Sequence, residues 1–98
     1  MRVSVALCTH QGERFLEQQL RSILDQSRPV DEIVVGDDAS TDATLAIVER
    51  IAADAAVPIL VARHDPPLGV AGNFADAIVR ASGDVVALCD QDDVWHPD

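Results

Sequence analysis

Val85-Val86-Ala87-Leu88-Cys89-Asp90-Gln91-Asp92-Asp93-Val94-Trp95-His96-Pro97-Asp98 starts as an unbroken apolar run and changes at Asp90 into a cluster of carboxylates, Asp90, Asp92 and Asp93. Strands buried on both faces read as continuous apolar runs, because each face must meet a packed layer. Acids at the carboxyl end of such a strand lie where open α/β sheets bind ligands. Clustered carboxylate oxygens suit a hard divalent cation, and such a cation suits a diphosphate.

The same transition from apolar run to polar motif occurs twice more upstream. Val3 to Cys8 reads as a buried strand and opens into Thr9-His10-Gln11-Gly12. Glu32 to Gly36, around Ile33-Val34-Val35, opens into Asp37-Asp38-Ala39-Ser40-Thr41-Asp42. Ile59 to Ala62 is a short further strand followed by the loop Arg63 to Leu68, marked by Pro66-Pro67. Between the strands lie helical patterns. Glu13 to Gln26 places Phe15, Leu16, Leu20, Ile23 and Leu24 on one face, and Pro29 blocks its continuation. Asp42 to Ala55 turns Leu45, Val48, Ile51 and Ala52 inward, with Ser40 or Thr41 as the expected N-cap. Val70 to Ala81 buries Phe74, Ala77 and Ile78 and ends at Ser82-Gly83. The alternation predicts one α/β domain over residues 1–98: a parallel sheet of about four strands with helices on both faces and right-handed crossovers. Three polar motifs gather on one rim, and the opposite strand ends are expected to carry nothing comparable.

The chain is acidic, with formal charge −10, and all seven of its cations are Arg. Such a balance excludes a nucleic-acid footprint and charge-driven docking on anionic lipid. No apolar run is long enough to span a bilayer and none reads as a signal peptide, so a cytoplasmic setting is expected. Cys8 and Cys89, on strands expected to be neighbours near the cleft, read as small buried hydrophobes rather than a disulfide.

Four pieces, in order, carry a family resemblance: Ala6-Leu7-Cys8-Thr9-His10-Gln11; Glu32-Ile33-Val34-Val35-Gly36-Asp37-Asp38-Ala39-Ser40-Thr41-Asp42; Gly69 to Asn73; and Asp90-Gln91-Asp92-Asp93-Val94-Trp95-His96-Pro97. From Val3 to Asp98 the chain resembles the N-terminal, nucleotide-sugar-binding half of family 2 glycosyltransferases, whose fold is the Rossmann-like GT-A fold. The last piece is similar to the rhamnosyltransferase-like branch. The resemblance implies a glycosyltransferase of cell-surface polysaccharide biosynthesis, using a UDP- or dTDP-sugar donor. It implies that Thr9 and His10 line the nucleobase pocket, with His10 where the family usually has Tyr and Gln11 where it has Asn. Asp37 and Asp38 match the acidic pair whose carboxylate accepts from the base N3–H, with Asp38 favoured. Arg63 matches a basic position that contacts base or phosphates, and Asn73 stands near a helix start where it satisfies backbone groups. Asp90 and Asp92 match the outer residues of the Asp-X-Asp motif, which holds Mn²⁺ or Mg²⁺ against the donor diphosphate.

The resemblance also implies that the carboxylate base and the acceptor site lie beyond Asp98. The chain is therefore expected to be the donor-binding portion of a longer inverting enzyme, inactive in transfer by itself, prone to self-association through an exposed sheet edge, and in its whole form peripheral at the inner face of the membrane. Three other classes compete. A sugar nucleotidyltransferase needs a Gly-rich basic loop where this chain has Thr9 to Arg14. A signalling receiver domain needs a Lys, which the chain lacks. A non-catalytic nucleotide or divalent-ion module stays open.

Overall fold

The computed structural model describes residues 2–10, 14–26 and 29–90. The runs Val3–Thr9, Glu32–Asp38, Ile59–His64 and Val85–Asp90 are strands β1 to β4, and Leu16–Leu24, Thr44–Asp54 and Gly69–Arg80 are helices α1 to α3 between them. All pairings are parallel and the sheet order is β3-β2-β1-β4. The chain steps outward from β1 to β3 and then crosses back to pair β4 with the free side of β1. The direction of winding therefore reverses between β1 and β4, which is the switch point where such sheets leave a crevice.

Strand alternation divides the core in two. Val5, Leu7, Ile33, Val35 and Cys89 pack with Leu16, Leu20 and Ile23 of α1 and Val48 and Ile51 of α2. On the other face Ala6 and Val34 meet Ala77 of α3, with Val86 partly buried beside them. That face is built from small residues, so α3 lies close to the sheet. Gly36 shows how close: a Cβ there would fall 2.1 Å from Asn73 Oδ1.

Several expectations change. Phe15 lies outside α1, 46% exposed, with the Arg14 guanidinium 5.3 Å from its ring centre, because Leu16, Leu20 and Ile23 already fill that face. Ile78 is exposed, since the buried side of α3 runs through Asn73 and Ala77. The N-cap position of α2 falls on neither Ser40 nor Thr41. The cap position is Ala43, the Asp42 carboxylate accepts from Thr44 N at 3.0 Å, and the Ser40 hydroxyl is spent on Asp37. Cys8 and Cys89 are free and buried, as expected, and lie on neighbouring strands: Cys8 is in register with Asp90 and Cys89 with Leu7, and an offset of one residue sends side chains to opposite faces.

The amino ends of the strands are not bare either. Asp31 accepts from Val3 N at 2.6 Å and Asp84 from Arg2 N at 2.9 Å. Glu32, 4% exposed, accepts from the Ser4 hydroxyl and from the amide and hydroxyl of Ser82, while Gly83 N donates to Ser4 Oγ at 2.8 Å. Burial pushes the Glu32 carboxyl up, but the hydrogen bonds from Ser4 and Ser82, with the Arg2 charge, outweigh it and leave it below its ordinary value. These acids clamp β1, β2 and the α3–β4 turn together. Both rims are acidic, and on the amino rim the carboxylates are consumed by the fold.

Candidate functional site

At the carboxyl rim the register lines up Thr9 of β1, Asp37 of β2 and Arg63 of β3. Asp38 is level with His64, and Asp90 of β4 is level with Cys8. Strands stand roughly 4.8 Å apart, so these four strand ends form a row about 14 Å long. The row exists because each apolar strand runs out into polar residues at the same height.

The acidic pair divides by face. Asp37 points to the α1/α2 side and is fully buried. Its Oδ1 accepts from Thr9 Oγ1 at 2.5 Å and from Ser40 Oγ at 2.6 Å, and its Oδ2 accepts from Ser40 N at 3.0 Å. Asp38 points to the α3 side. Its Oδ1 accepts from Leu68 N at 3.1 Å and its Oδ2 from Gly69 N at 2.8 Å, so it occupies the N-terminus of α3. That helix end already carries its negative partner and is not an open anion site. Each carboxylate oxygen of Asp38 has a second lone pair, and the residue keeps 6% exposure where Asp37 has 0%.

His10 Nδ1 lies 2.5 Å from the carbonyl oxygen of Asp38. A carbonyl can only accept, so Nδ1 carries the proton and the ring is tied to β2. Ala39, between the acids and Ser40, has φ 49°, a left-handed conformation that an L residue with a side chain adopts at a cost. Arg63 is exposed and its Nη1 lies 3.3 Å from Asp65 Oδ2. His64, expected to be an ordinary loop residue, instead closes β3, with a nearly buried side chain whose Nε2 is 3.3 Å from Asp76 Oδ2 at ion-pair distance. Asn73, buried, donates not to backbone near the helix start but to Gly36 O at 2.8 Å, and so fixes α3 to β2.

Thr9, His10, Asp37, Asp38 and Arg63 thus share one rim, and the backbone of Asp90 ends the strand beside Thr9. Asp92 and Asp93 lie outside the described residues. Two roles were not legible: the grip of Asp37 on Ser40, and the capping of α3 by Asp38 from thirty positions away. A serine three residues after an acid at a strand end was a local hint of the first; the second had no local signal. Two hollows lie away from the rim, one among Arg21, Leu24, Arg50, Ile51, Asp54 and Ala55, another among Val34, Leu60, Val61, Ala62 and Arg80.

The chain matches the family model described as Glycosyl transferase family 2 over residues 4–98. It belongs to that family. An uncharacterized glycosyltransferase alr2836 of Nostoc sp. is 35% identical over 99% of this chain and 30% of its own length. The dTDP-rhamnosyl transferase RfbG of Shigella flexneri is 31% identical over 94% of this chain and 33% of its own length. Among solved structures, S. aureus TarS 1-349 in complex with UDP superposes with TM-score 0.89 at 31% identity, covering 100% of this chain and 29% of that one. The mannosyltransferase PcManGT of Pyrobaculum calidifontis, in complex with GDP-Man and Mn²⁺, gives TM-score 0.89 at 32% identity over 96% of this chain and 28% of that one. The four-stranded parallel sheet with helices on both faces is therefore the GT-A arrangement expected of a family 2 glycosyltransferase. The chain spans about a third of the length of the curated relatives it matches. No helix among the described residues is long and apolar enough to cross a membrane.

Proposed function

We propose that these residues are the donor-binding portion of a glycosyltransferase that takes a nucleoside diphosphate sugar, a UDP- or dTDP-sugar, and passes the sugar to an acceptor hydroxyl with inversion. The observation that carries this reading is the gathering of Thr9, His10, Asp38, Arg63 and Asp90 on the carboxyl rim, around the switch point between β1 and β4. The solved relatives with UDP and with GDP-Man and Mn²⁺ support it.

Asp38 accepts from the N3–H of uracil or thymine with the lone pairs that its α3 contacts leave over. The His10 ring, held by its Nδ1–H, offers a face for stacking. Arg63 supplies positive charge for base or phosphate in a chain of charge −10. Asp90 and Asp92 hold Mn²⁺ or Mg²⁺. The donor set fits such an ion: carboxylate oxygens are hard ligands, Asp90 ends β4 beside the crevice, and these cations take one or two protein carboxylates with phosphate oxygens and water. When bound, the cation offsets the negative charge that builds on the departing diphosphate. The carboxylate that deprotonates the acceptor, and the acceptor site, lie outside these 98 residues. The setting is cytoplasmic, with the whole protein peripheral at the inner face of the membrane and working in cell-surface polysaccharide synthesis.

Titration with UDP and with dTDP, with and without Mn²⁺, tests this. Binding is expected to need the metal and to vanish in Asp92→Ala. Metal-independent binding that survives the substitution would favour a different nucleotide module.

A further inference from the structure

Among the described acids of the rim, Asp37 is the most completely satisfied. Its carboxylate takes three hydrogen bonds, from Thr9 Oγ1, Ser40 Oγ and Ser40 N, and Asp37, Thr9 and Ser40 are 0%, 2% and 6% exposed. The Thr9 hydroxyl proton is committed to Asp37. Between the two gripped positions, 37 and 40, lie Asp38 and the left-handed Ala39. A turn holding an alanine at φ 49° persists only where its surroundings impose it. Here the surroundings are the Asp37 carboxylate, which ties the far end of the turn back to its start and to β1. Asp38 is suspended inside that closure, with its carbonyl facing His10 and its carboxylate facing Leu68 N and Gly69 N.

We propose that Asp37, with Thr9 and Ser40, is a positioning unit that does not touch the nucleotide and instead sets the aim of Asp38 and, through its carbonyl, of the His10 ring. For its ligand arm the inference rests on the donor-binding reading above. It departs from the expectation that Thr9 and Asp37 are themselves nucleotide contacts. It divides the acidic pair into one carboxylate that aims and one that binds.

The test uses Thr9→Val, which keeps the shape and removes the hydroxyl, Thr9→Ser, which restores it, and Asp37→Asn. Two quantities are read well below each unfolding midpoint: amide exchange in the nucleotide-free protein, and affinity for UDP with Mn²⁺ beside affinity for Mn²⁺ alone. Loss of one buried charge-assisted hydrogen bond is expected to weaken UDP binding on the order of tenfold in Thr9→Val and Asp37→Asn. Mn²⁺ affinity alone should stay unchanged. Exchange at Leu68 and Gly69, the amides that Asp38 holds, should quicken relative to Ala77 deeper in α3. A purely structural loss would quicken all three together. Thr9→Ser should return both readouts to the wild-type values. The proposal is overturned if exchange at Leu68 and Gly69 keeps its ratio to Ala77, if Thr9→Val binds UDP as the wild type does, or if Thr9→Ser restores nothing. A wild-type chain that binds no UDP sinks the donor reading, while the exchange ratio still decides the positioning role.

Discussion

Gly36→Ala adds one methyl group to the middle of the sheet, and its consequence follows from Asn73. The new Cβ would lie 2.1 Å from Asn73 Oδ1 and 3.1 Å from its Cγ. Ordinary contact begins near 3.4 Å, so the carboxamide must retreat by about 1.3 Å (3.4 less 2.1). That retreat pulls Nδ2 away from Gly36 O, to which it donates at 2.8 Å, in a side chain 2% exposed. Overpacking costs roughly 1–3 kcal/mol, and a buried carbonyl left without its donor costs about 1–3 kcal/mol. Against this, replacing glycine in a strand gains roughly 0.5–1 kcal/mol by restricting the unfolded chain. The clash wins by about 3 kcal/mol, which for a domain of this size lowers the melting temperature by roughly 12–24 °C. Urea denaturation of Gly36→Ala, Asn73→Ala and the double variant measures the effect. Asn73→Ala alone loses the hydrogen bond, but in the double variant the methyl has no carboxamide to strike, so the double variant should be more stable than the sum of the singles by about 1–2 kcal/mol. A Gly36→Ala midpoint equal to wild type, or strict additivity, would refute the reasoning.

Ala39→Gly relieves the left-handed backbone at φ 49° and should raise stability by about 1 kcal/mol in the same denaturation assay, after the entropy of the freer unfolded glycine is subtracted. Acid stability should depend on Glu32. Its folded carboxyl lies below the ordinary 4.5, so the unfolded chain binds that proton first on acidification. The contribution of Glu32 is complete above pH 4.5 and is lost as pH falls through and below it. Glu32→Gln should therefore be less stable than wild type at neutral pH and should show a shallower loss on acid titration followed by circular dichroism; curves that stay parallel down to pH 3 would contradict this.

Much of the fold was readable because its signals are local. Val3 to Cys8 and Ile33-Val34-Val35 are apolar runs that a sheet covered on both faces buries, and both became central strands, whereas Val85 to Cys89 reads the same way yet forms the edge strand β4 of the described sheet, with Val85 and Leu88 exposed. The alternation of strand and helix required parallel pairing. Helix ends and faces were less legible. Phe15 fits the periodicity of α1, yet the sheet has room for only Leu16, Leu20 and Ile23, and Phe15 is left to Arg14. Glu32 and Asp84 look like solvated acids, because nothing nearby in sequence announces that Ser4 and Ser82 or the Arg2 amide will reach them.

The candidate site divides in the same way. Sequence by itself determined which residue types stand at the strand ends: Thr9, His10, Asp37, Asp38 and Arg63 are there because each apolar run stops where it does. Only the tertiary structure decided what each of them does. Register set Thr9 against Asp37 and sent Cys8 and Cys89 to opposite faces; the return of α3 across β1 and β2 brought Leu68 and Gly69 to Asp38 and Asn73 to Gly36. Hydrophobic pattern is written along the chain within a few residues, whereas hydrogen-bond partners thirty positions apart are chosen by how the layers close.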